Sequence, residues 1–135
     1  MPRILLIDDS AAMRATMRAA LEGARELGPV VEVTDSSSGF EALRRMHGGA
    51  HDAVIIDIHL PDIDGLELIH FIRRSRHHRD VALIVVSSMS SARERGRAFR
   101  LGAHAFVAKP FPPEALVSAV RRGLATSQLG LRVAT

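Results

Sequence analysis

Residues 53–65 read Ala53-Val54-Ile55-Ile56-Asp57-Ile58-His59-Leu60-Pro61-Asp62-Ile63-Asp64-Gly65. Four consecutive apolar residues without alternation predict a strand covered on both faces. The run stops at Asp57. Pro61 and Gly65 then mark a turn, and Leu66, Ile69 and Ile72 line one side of a helix. A strand buried on both faces and followed by an amphipathic helix is the repeating unit of a parallel α/β sheet.

The same unit recurs on either side. Upstream, residues 4–7 form an apolar run that ends in Asp8-Asp9-Ser10. Ser10 is placed to cap a helix with Met13, Met17, Ala20 and Leu21 on its apolar face, ending between Gly23 and Gly28. Val30 to Val33 predicts a second strand, and Ser36 to Ser38 cap a helix that stops at Gly48-Gly49. Downstream, Val81 to Val86 is a fourth strand ending in Ser87-Ser88. A helix over 92–101 closes on Gly102. A fifth strand, His104 to Ala108, ends in Lys109-Pro110, and a last helix follows Pro112-Pro113 with Leu116, Val120 and Leu124. Residues 1–124 are expected to form one domain and 125–135 a short C-terminal tail.

Composition narrows the function. The chain has 135 residues, 47% of them hydrophobic and 24% charged, which suits one globular domain and excludes whole-chain disorder. No apolar run approaches a membrane span and no cleavable signal pattern follows Met1, so a cytoplasmic protein is expected. Absent cysteines exclude disulfides, thiolate metal sites and thiol nucleophiles. A net charge of +3 is a weak argument for nucleic acid. The dense basic run Arg73-Arg74-Ser75-Arg76-His77-His78-Arg79 falls at a helix C-terminus, where cations suit the dipole, and carries no aromatic stacking residues. Neither direct nucleic-acid binding nor a membrane partner is expected.

In open parallel sheets, ligands bind beyond the carboxyl ends of the strands. Those ends carry Asp8, Asp9, Asp57, Ser87 and Lys109. Any one of these in isolation reads as a cap or a turn residue. Together they bring three carboxylates, a hydroxyl and an amine to one edge. Carboxylates so placed repel unless a cation lies among them, and an all-oxygen set favours Mg2+. Asp57, alone at a central strand end, is the candidate nucleophile towards a phosphoryl group. Lys109 is the only lysine, while the other seventeen basic residues are arginine. A compact point charge at this position fits the same chemistry.

Asp8-Asp9, the Asp57-to-Gly65 stretch, Ser87 and Lys109-Pro110-Phe111, in this order on these elements, resemble the receiver domain of two-component response regulators. The resemblance covers about residues 3–124. It implies a flavodoxin-like, doubly wound (βα)5 fold with strand order 2-1-3-4-5. It makes Asp57 the phosphoacceptor, with Ser87 and Lys109 binding phosphoryl oxygens. Mg2+ would be held by Asp9, Asp57 and the backbone carbonyl of His59, with Asp8 acting through water. Pro110 would follow a cis peptide bond, Ser87 and Phe106 would form the switch, and His59 with Met89 would tune the lifetime of the phosphorylated state. Phe106 lacks the hydroxyl of the tyrosine commoner at its position.

The implied function is a phosphoacceptor switch rather than an enzyme. It would take its phosphoryl group from a sensor histidine kinase or a phosphotransfer protein, and act on an effector through the face made by the fourth helix, fifth strand and fifth helix. Arg93, Arg95, Arg97 and Arg100 on the fourth helix suit an acidic partner. The switch would be a monomer or a phosphorylation-dependent dimer. A receiver cut from a longer regulator with a DNA-binding or enzymatic output is the alternative. A dehalogenase-like phosphatase is disfavoured, because Asp8 is followed two residues later by Ser10 rather than a second aspartate. A pseudo-receiver that only scaffolds is disfavoured by the complete acidic, hydroxyl and lysine set.

Overall fold

The structure, a computed structural model, describes residues 1–88 and 91–134, with side chains described as far as residue 127. Five strands, β1 (Arg3–Ile7), β2 (Glu32–Ser36), β3 (Ala53–Asp57), β4 (Ala82–Ser87) and β5 (Ala105–Ala108), alternate with five helices. The helices are α1 (Ala11–Glu22), α2 (Gly39–His47), α3 (Gly65–Arg74), α4 (Ala92–Leu101) and α5 (Pro113–Ala134). The strands pair in parallel in the order β2-β1-β3-β4-β5, the flavodoxin-like order expected from the sequence.

Successive strand residues point to opposite faces, and this divides the apolar residues between two cores. Ile4, Leu6, Ile55, Ile84 and Val86 meet Met17, Leu21, Leu116 and Val120 beneath α1 and α5. Leu5, Ile7, Val54, Ile56, Leu83 and Val85 meet Met46, Leu66, Ile69, Ile72 and Ala98 beneath α2, α3 and α4. Because both faces are covered, β3 and β4 are buried at every residue. Unbroken apolar runs are therefore the correct signature for these two strands.

Beyond one-residue shifts at β1, β4 and β5, two boundaries differ from the sequence reading. The second strand lies at Glu32–Ser36 rather than Val30 to Val33. It is an edge strand, and Val33 is its one buried apolar residue, while Val30 is 56% exposed. Its register is set by pairing with β1 rather than by an apolar run, and Ser38, not Ser36, caps α2. The last helix does not stop near Leu124, because α5 continues through the proposed tail to Ala134. A lone glycine, Gly130, is the only strong helix breaker in that tail. Among the described residues, no helix is long and apolar enough to cross a membrane.

Arg73 also departs from the solvated helix end expected of the basic run. It is half-buried, and its guanidinium donates to the carbonyls of Gly102 (2.5 and 3.2 Å), Arg79 (2.8 Å) and Val81 (2.7 Å). One side chain thus fastens the end of α3 to the start of β4 and the α4–β5 turn. Gly102 adopts φ 114°, and a Cβ there would lie 2.6 Å from Arg73 Nε. Both the left-handed backbone and the close guanidinium require glycine.

His104 completes this junction. Its Nδ1 accepts from Leu83 N–H at 3.0 Å and lies 3.3 Å from Arg73 Nη2. With donors converging on Nδ1, the ring is neutral and carries its proton on Nε2. Burial and then the Arg73 charge push the His104 pKa below its ordinary 6.5. The folded state therefore disfavours imidazolium. Stability is complete above pH 6.5 and falls as the pH drops towards the folded value. His104→Ala should cost about 1–3 kcal/mol in urea denaturation, whereas His104→Asn, whose carbonyl can replace Nδ1, should cost less and lose less stability between about pH 7 and about pH 5 than the parent. Equal losses in the two variants would remove the acceptor role.

Candidate functional site

The order of the strands reverses between β1 and β3, so the loops leaving them diverge and open a crevice at their carboxyl ends. Asp8 and Asp9 follow β1, and Asp57 is the last residue of β3. One carboxylate oxygen from each of the three lies within 4.8 Å of the others.

Asp8 is fully buried and held at several atoms. Its Oδ1 accepts from Ser10 N–H at 2.9 Å, its N–H donates to the Ser36 carbonyl at 3.2 Å, and its carbonyl accepts from Arg14 at 2.6 Å. Arg14 also lies 3.5 Å from Asp35, so α1 and β2 brace the residue from opposite sides. Asp57 is 6% exposed, and its Oδ1 accepts from His59 N–H at 3.1 Å. Asp9 is exposed at the mouth.

Lys109 enters from the end of β5. Its N–H donates to the Ser87 carbonyl at 2.8 Å, and the Lys109–Pro110 peptide is cis. The ammonium donates to Asp8 Oδ2 at 2.7 Å and to Asp57 Oδ2 at 3.2 Å. Burial lowers the lysine pKa, but the Asp8 hydrogen bond and the charges of Asp57 and Asp8 outweigh it, so the net displacement is upward. Ser87, buried at the end of β4, pairs with Ala108 in the sheet and so stands next to Lys109. Met89 lies outside the described residues.

The loop between β3 and α3 closes the crevice. Gly65 N–H donates to the Ile58 carbonyl at 2.9 Å, and a Cβ at Gly65 would come within 2.7 Å of the Asp57 carbonyl oxygen. Only glycine permits that approach. Asp64 caps α3, accepting from Leu66 N–H. Asp62 reaches sideways to accept from Gly39 and Phe40 N–H of α2, each at 2.9 Å. Burial raises the Asp62 pKa, but these and other backbone hydrogen bonds override it and hold the carboxyl below its ordinary value. Asp9, His59, Pro61, Asp64 and Glu94 line the resulting cleft of about 490 Å3. His59 Nε2 lies 3.9 Å from Glu94 of α4.

The crevice therefore gathers Asp8, Asp9, Asp57 and Lys109, with His59 at the rim and Ser87 on the adjoining strand. Phe106 stands apart, 8% exposed and packed beneath α4, with the Arg95 guanidinium 5.5 Å from its ring centroid. Arg14 and Asp62 escaped the sequence reading. Arg14 is one of many arginines on an amphipathic helix, and Asp62 reads as an ordinary turn aspartate after proline. Three carboxylates and one ammonium leave the pocket two charges negative, and the donors are all oxygen. The residues present thus fit a hard divalent cation.

A doubly wound α/β domain with an acidic pocket and one lysine at its switch point is the class defined by this geometry. The chain belongs to the response regulator receiver domain family, whose profile matches residues 4–121. It is 32% identical over 120 residues to the transcriptional regulatory protein PrrA of Mycobacterium bovis, covering 89% of this chain and 48% of PrrA. It is 29% identical over 113 residues to the cyclic di-GMP phosphodiesterase response regulator RpfG of Xanthomonas campestris, covering 84% of this chain and 29% of RpfG. The chain thus spans less than half the length of either relative. The crystal structure of a CheY-like receiver domain protein from Methanospirillum hungatei superimposes with a TM-score of 0.84 at 25% identity, covering 96% of this chain and 98% of that one.

The ammonium offsets two buried carboxylates, so Lys109→Met should destabilise the domain by about 3–5 kcal/mol in urea denaturation near neutral pH with EDTA present. Because the lysine pKa lies above its ordinary 10.5, its contribution to the parent is complete below pH 10.5 and is lost as pH rises through the folded value. A variant as stable as the parent at neutral pH would show that the ammonium does not compensate the pocket.

Proposed function

We propose that this chain is a phosphoacceptor switch in which Asp57 is reversibly phosphorylated. The observation that carries the reading is the single ammonium of Lys109 shared between Asp8 and Asp57, with Asp9 at the mouth of the same pocket. An Asp57 oxygen attacks the phosphorus of a phosphohistidine, on a sensor histidine kinase or a phosphotransfer protein, or of a small acyl phosphate. The new O–P bond forms as the P–N or P–O bond to the donor breaks, and its electron pair leaves on the imidazole or carboxylate.

Asp8, Asp9, Asp57 and the His59 carbonyl would hold Mg2+, which when bound supplies positive charge to the phosphoryl oxygens. Lys109 exchanges its Asp57 contact for a phosphoryl oxygen, and the Ser87 hydroxyl donates to another. Hydrolysis of the acyl phosphate by water returns the domain to its starting state. The chemistry is confined to Asp57 itself, and the domain acts on nothing besides its phosphoryl donor and water. Phosphoryl donors of this kind act in the cytoplasm, and we assign the domain to that compartment.

The switch runs from Ser87 to the α4–β5–α5 face. Ala98 is the only buried residue of α4, and Gly96 lies in mid-helix, so α4 is weakly held. Inward movement of Ser87 alters the packing around Phe106, and the Arg95 guanidinium over that ring transmits the change to α4. Arg95, Phe99, Phe106 and Arg122 line a groove of about 350 Å3 on this face, which suits an acidic effector or a second phosphorylated copy. A second reading, in which the same switch controls a DNA-binding or enzymatic output in a longer regulator, is favoured by the short span of the chain against PrrA and RpfG.

Incubation with acetyl phosphate and Mg2+ should add one phosphoryl group by intact mass, and Asp57→Asn should remain unmodified. Multiple turnovers on phosphate esters would overturn the switch reading in favour of a phosphatase. Exchanging His59 and Met89 together for smaller residues should change the lifetime of the phosphorylated state, read as the decay of the modified mass. An unchanged lifetime removes them as rate-tuning residues.

A further inference from the structure

On the opposite edge of the molecule from Asp57, the C-terminal halves of α2 and α3 flank a groove of about 630 Å3. Met46 and Ile72 form its floor, at 3% and 1% exposure, and Leu43 and Phe71 form its apolar walls. Phe71 is 53% exposed. Phe40, three residues before Leu43 and 54% exposed, extends the apolar stripe along α2. A large aromatic half in water beside a concave apolar floor is the signature of a binding groove.

The surroundings are basic. His47 and His77 line the groove, and the exposed Arg44, Arg74 and Arg76 adjoin its lining residues Leu43, Ser75 and His77 along the chain. Among the described residues, Arg44, Arg74 and Arg76 make no ion pair and no hydrogen bond, because Arg73 alone donates to the nearby carbonyls. Local fold stabilisation therefore leaves three guanidinium groups unused. Glu67 stands one turn before Phe71, towards the other end of α3, while Asp80, beside Arg79, and Asp52 line a neighbouring cleft with His77.

The turn after α2 adds a further sign. Gly48 has φ −93°, which any residue adopts, and a Cβ there would meet nothing within 4 Å. At Gly49 the nearest atoms would be 3.7 Å away. Neither glycine is required by the fold; the Gly49 carbonyl is engaged by His78 Nε2 at 3.1 Å, while exposed Gly48 leaves backbone open at the end of the groove.

We propose that this groove docks an acidic amphipathic helix of a partner protein, with apolar residues on Phe71 and Leu43 and carboxylates on the adjoining arginines. A helix lying between two helices matches the shape, and α2, with nine residues, is about 14 Å or about two and a half turns long. Charge selects the occupant. A two-fold contact between copies of this face would bring the Arg44, Arg74 and Arg76 set of one copy towards the same set of the other, which like-charge repulsion opposes. Because the groove lies at the edge away from Asp57, docking is independent of phosphorylation. The surface is a constant anchor, distinct from the α4–β5–α5 output face.

The test uses a fluorescein-labelled peptide of about four turns, with leucines at i, i+3, i+4 and i+7 and glutamates at most other positions, and a scrambled peptide of the same composition. Fluorescence anisotropy should show saturable binding of the amphipathic peptide that weakens as salt is raised. Phe71→Ser and Arg74→Glu should each weaken it about tenfold or more, while Asp57→Asn and Arg95→Glu leave it unchanged. Phe71 and Arg74 lie at the surface, and matching thermal unfolding curves would establish that both variants fold. Equal binding of the scrambled peptide, no saturable binding, or indifference to both groove variants overturns the proposal. So does self-association in sedimentation that Phe71→Ser abolishes, which would assign the groove to a second copy. Co-sedimentation with phosphatidylserine vesicles, lost in Arg74→Glu, would assign it to an anionic lipid surface and likewise overturn the proposal.

Discussion

Electrostatic repulsion among Asp8, Asp9 and Asp57 is the constraint around which the molecule is arranged. Two of these carboxylates are buried, and buried like charges within 4.8 Å of one another are tolerable only with a compensating cation. Lys109 supplies part of that compensation from a different strand, 101 residues along the chain from Asp8. The parallel sheet makes the meeting possible, because it delivers the ends of β1, β3, β4 and β5 to one edge. The residual negative charge suits the pocket to a further cation, which the phosphoryl chemistry proposed at Asp57 requires.

Rigid support surrounds this pocket. Asp8 is fixed by Ser10, Ser36, Arg14 and Lys109. The β3–α3 loop is fixed by Gly65 against Ile58 and by Asp62 against the start of α2. Apart from Lys109, these braces take no part in the chemistry proposed at Asp57, and they hold the pocket's geometry constant. The α4 side differs, with one buried residue in the helix and an arginine resting on Phe106. A stiff reaction centre beside a loosely held helix is the division of labour a switch needs.

The central sheet was legible because burial on both faces leaves an unmistakable apolar run, as in Val54-Ile55-Ile56 and Leu83-Ile84-Val85. The pocket was legible because chemically unusual residues sit at the ends of those runs. β2 was misplaced because an edge strand takes its register from backbone pairing with β1, which residue types at 32–36 barely record. Arg73, Arg14 and Asp62 were missed for a related reason. Their partners are backbone carbonyls or N–H groups, some near and some far along the chain, and any sequence can offer those. The groove between α2 and α3 was equally hidden, since its walls use the residues that an ordinary amphipathic helix would bury.

The fastening of Gly102 by Arg73 has a mechanical consequence for α4. The guanidinium grips the carbonyl at one end of this helix, and the Ala103 N–H returns to Ala98 at the same end. A rod of ten residues pinned there is a lever whose fulcrum is the α4–β5 turn. Any rearrangement that leaves the pin intact must swing the far end through the widest arc. That end carries Ser91 and Glu94, the latter facing His59 across the mouth of the acidic pocket.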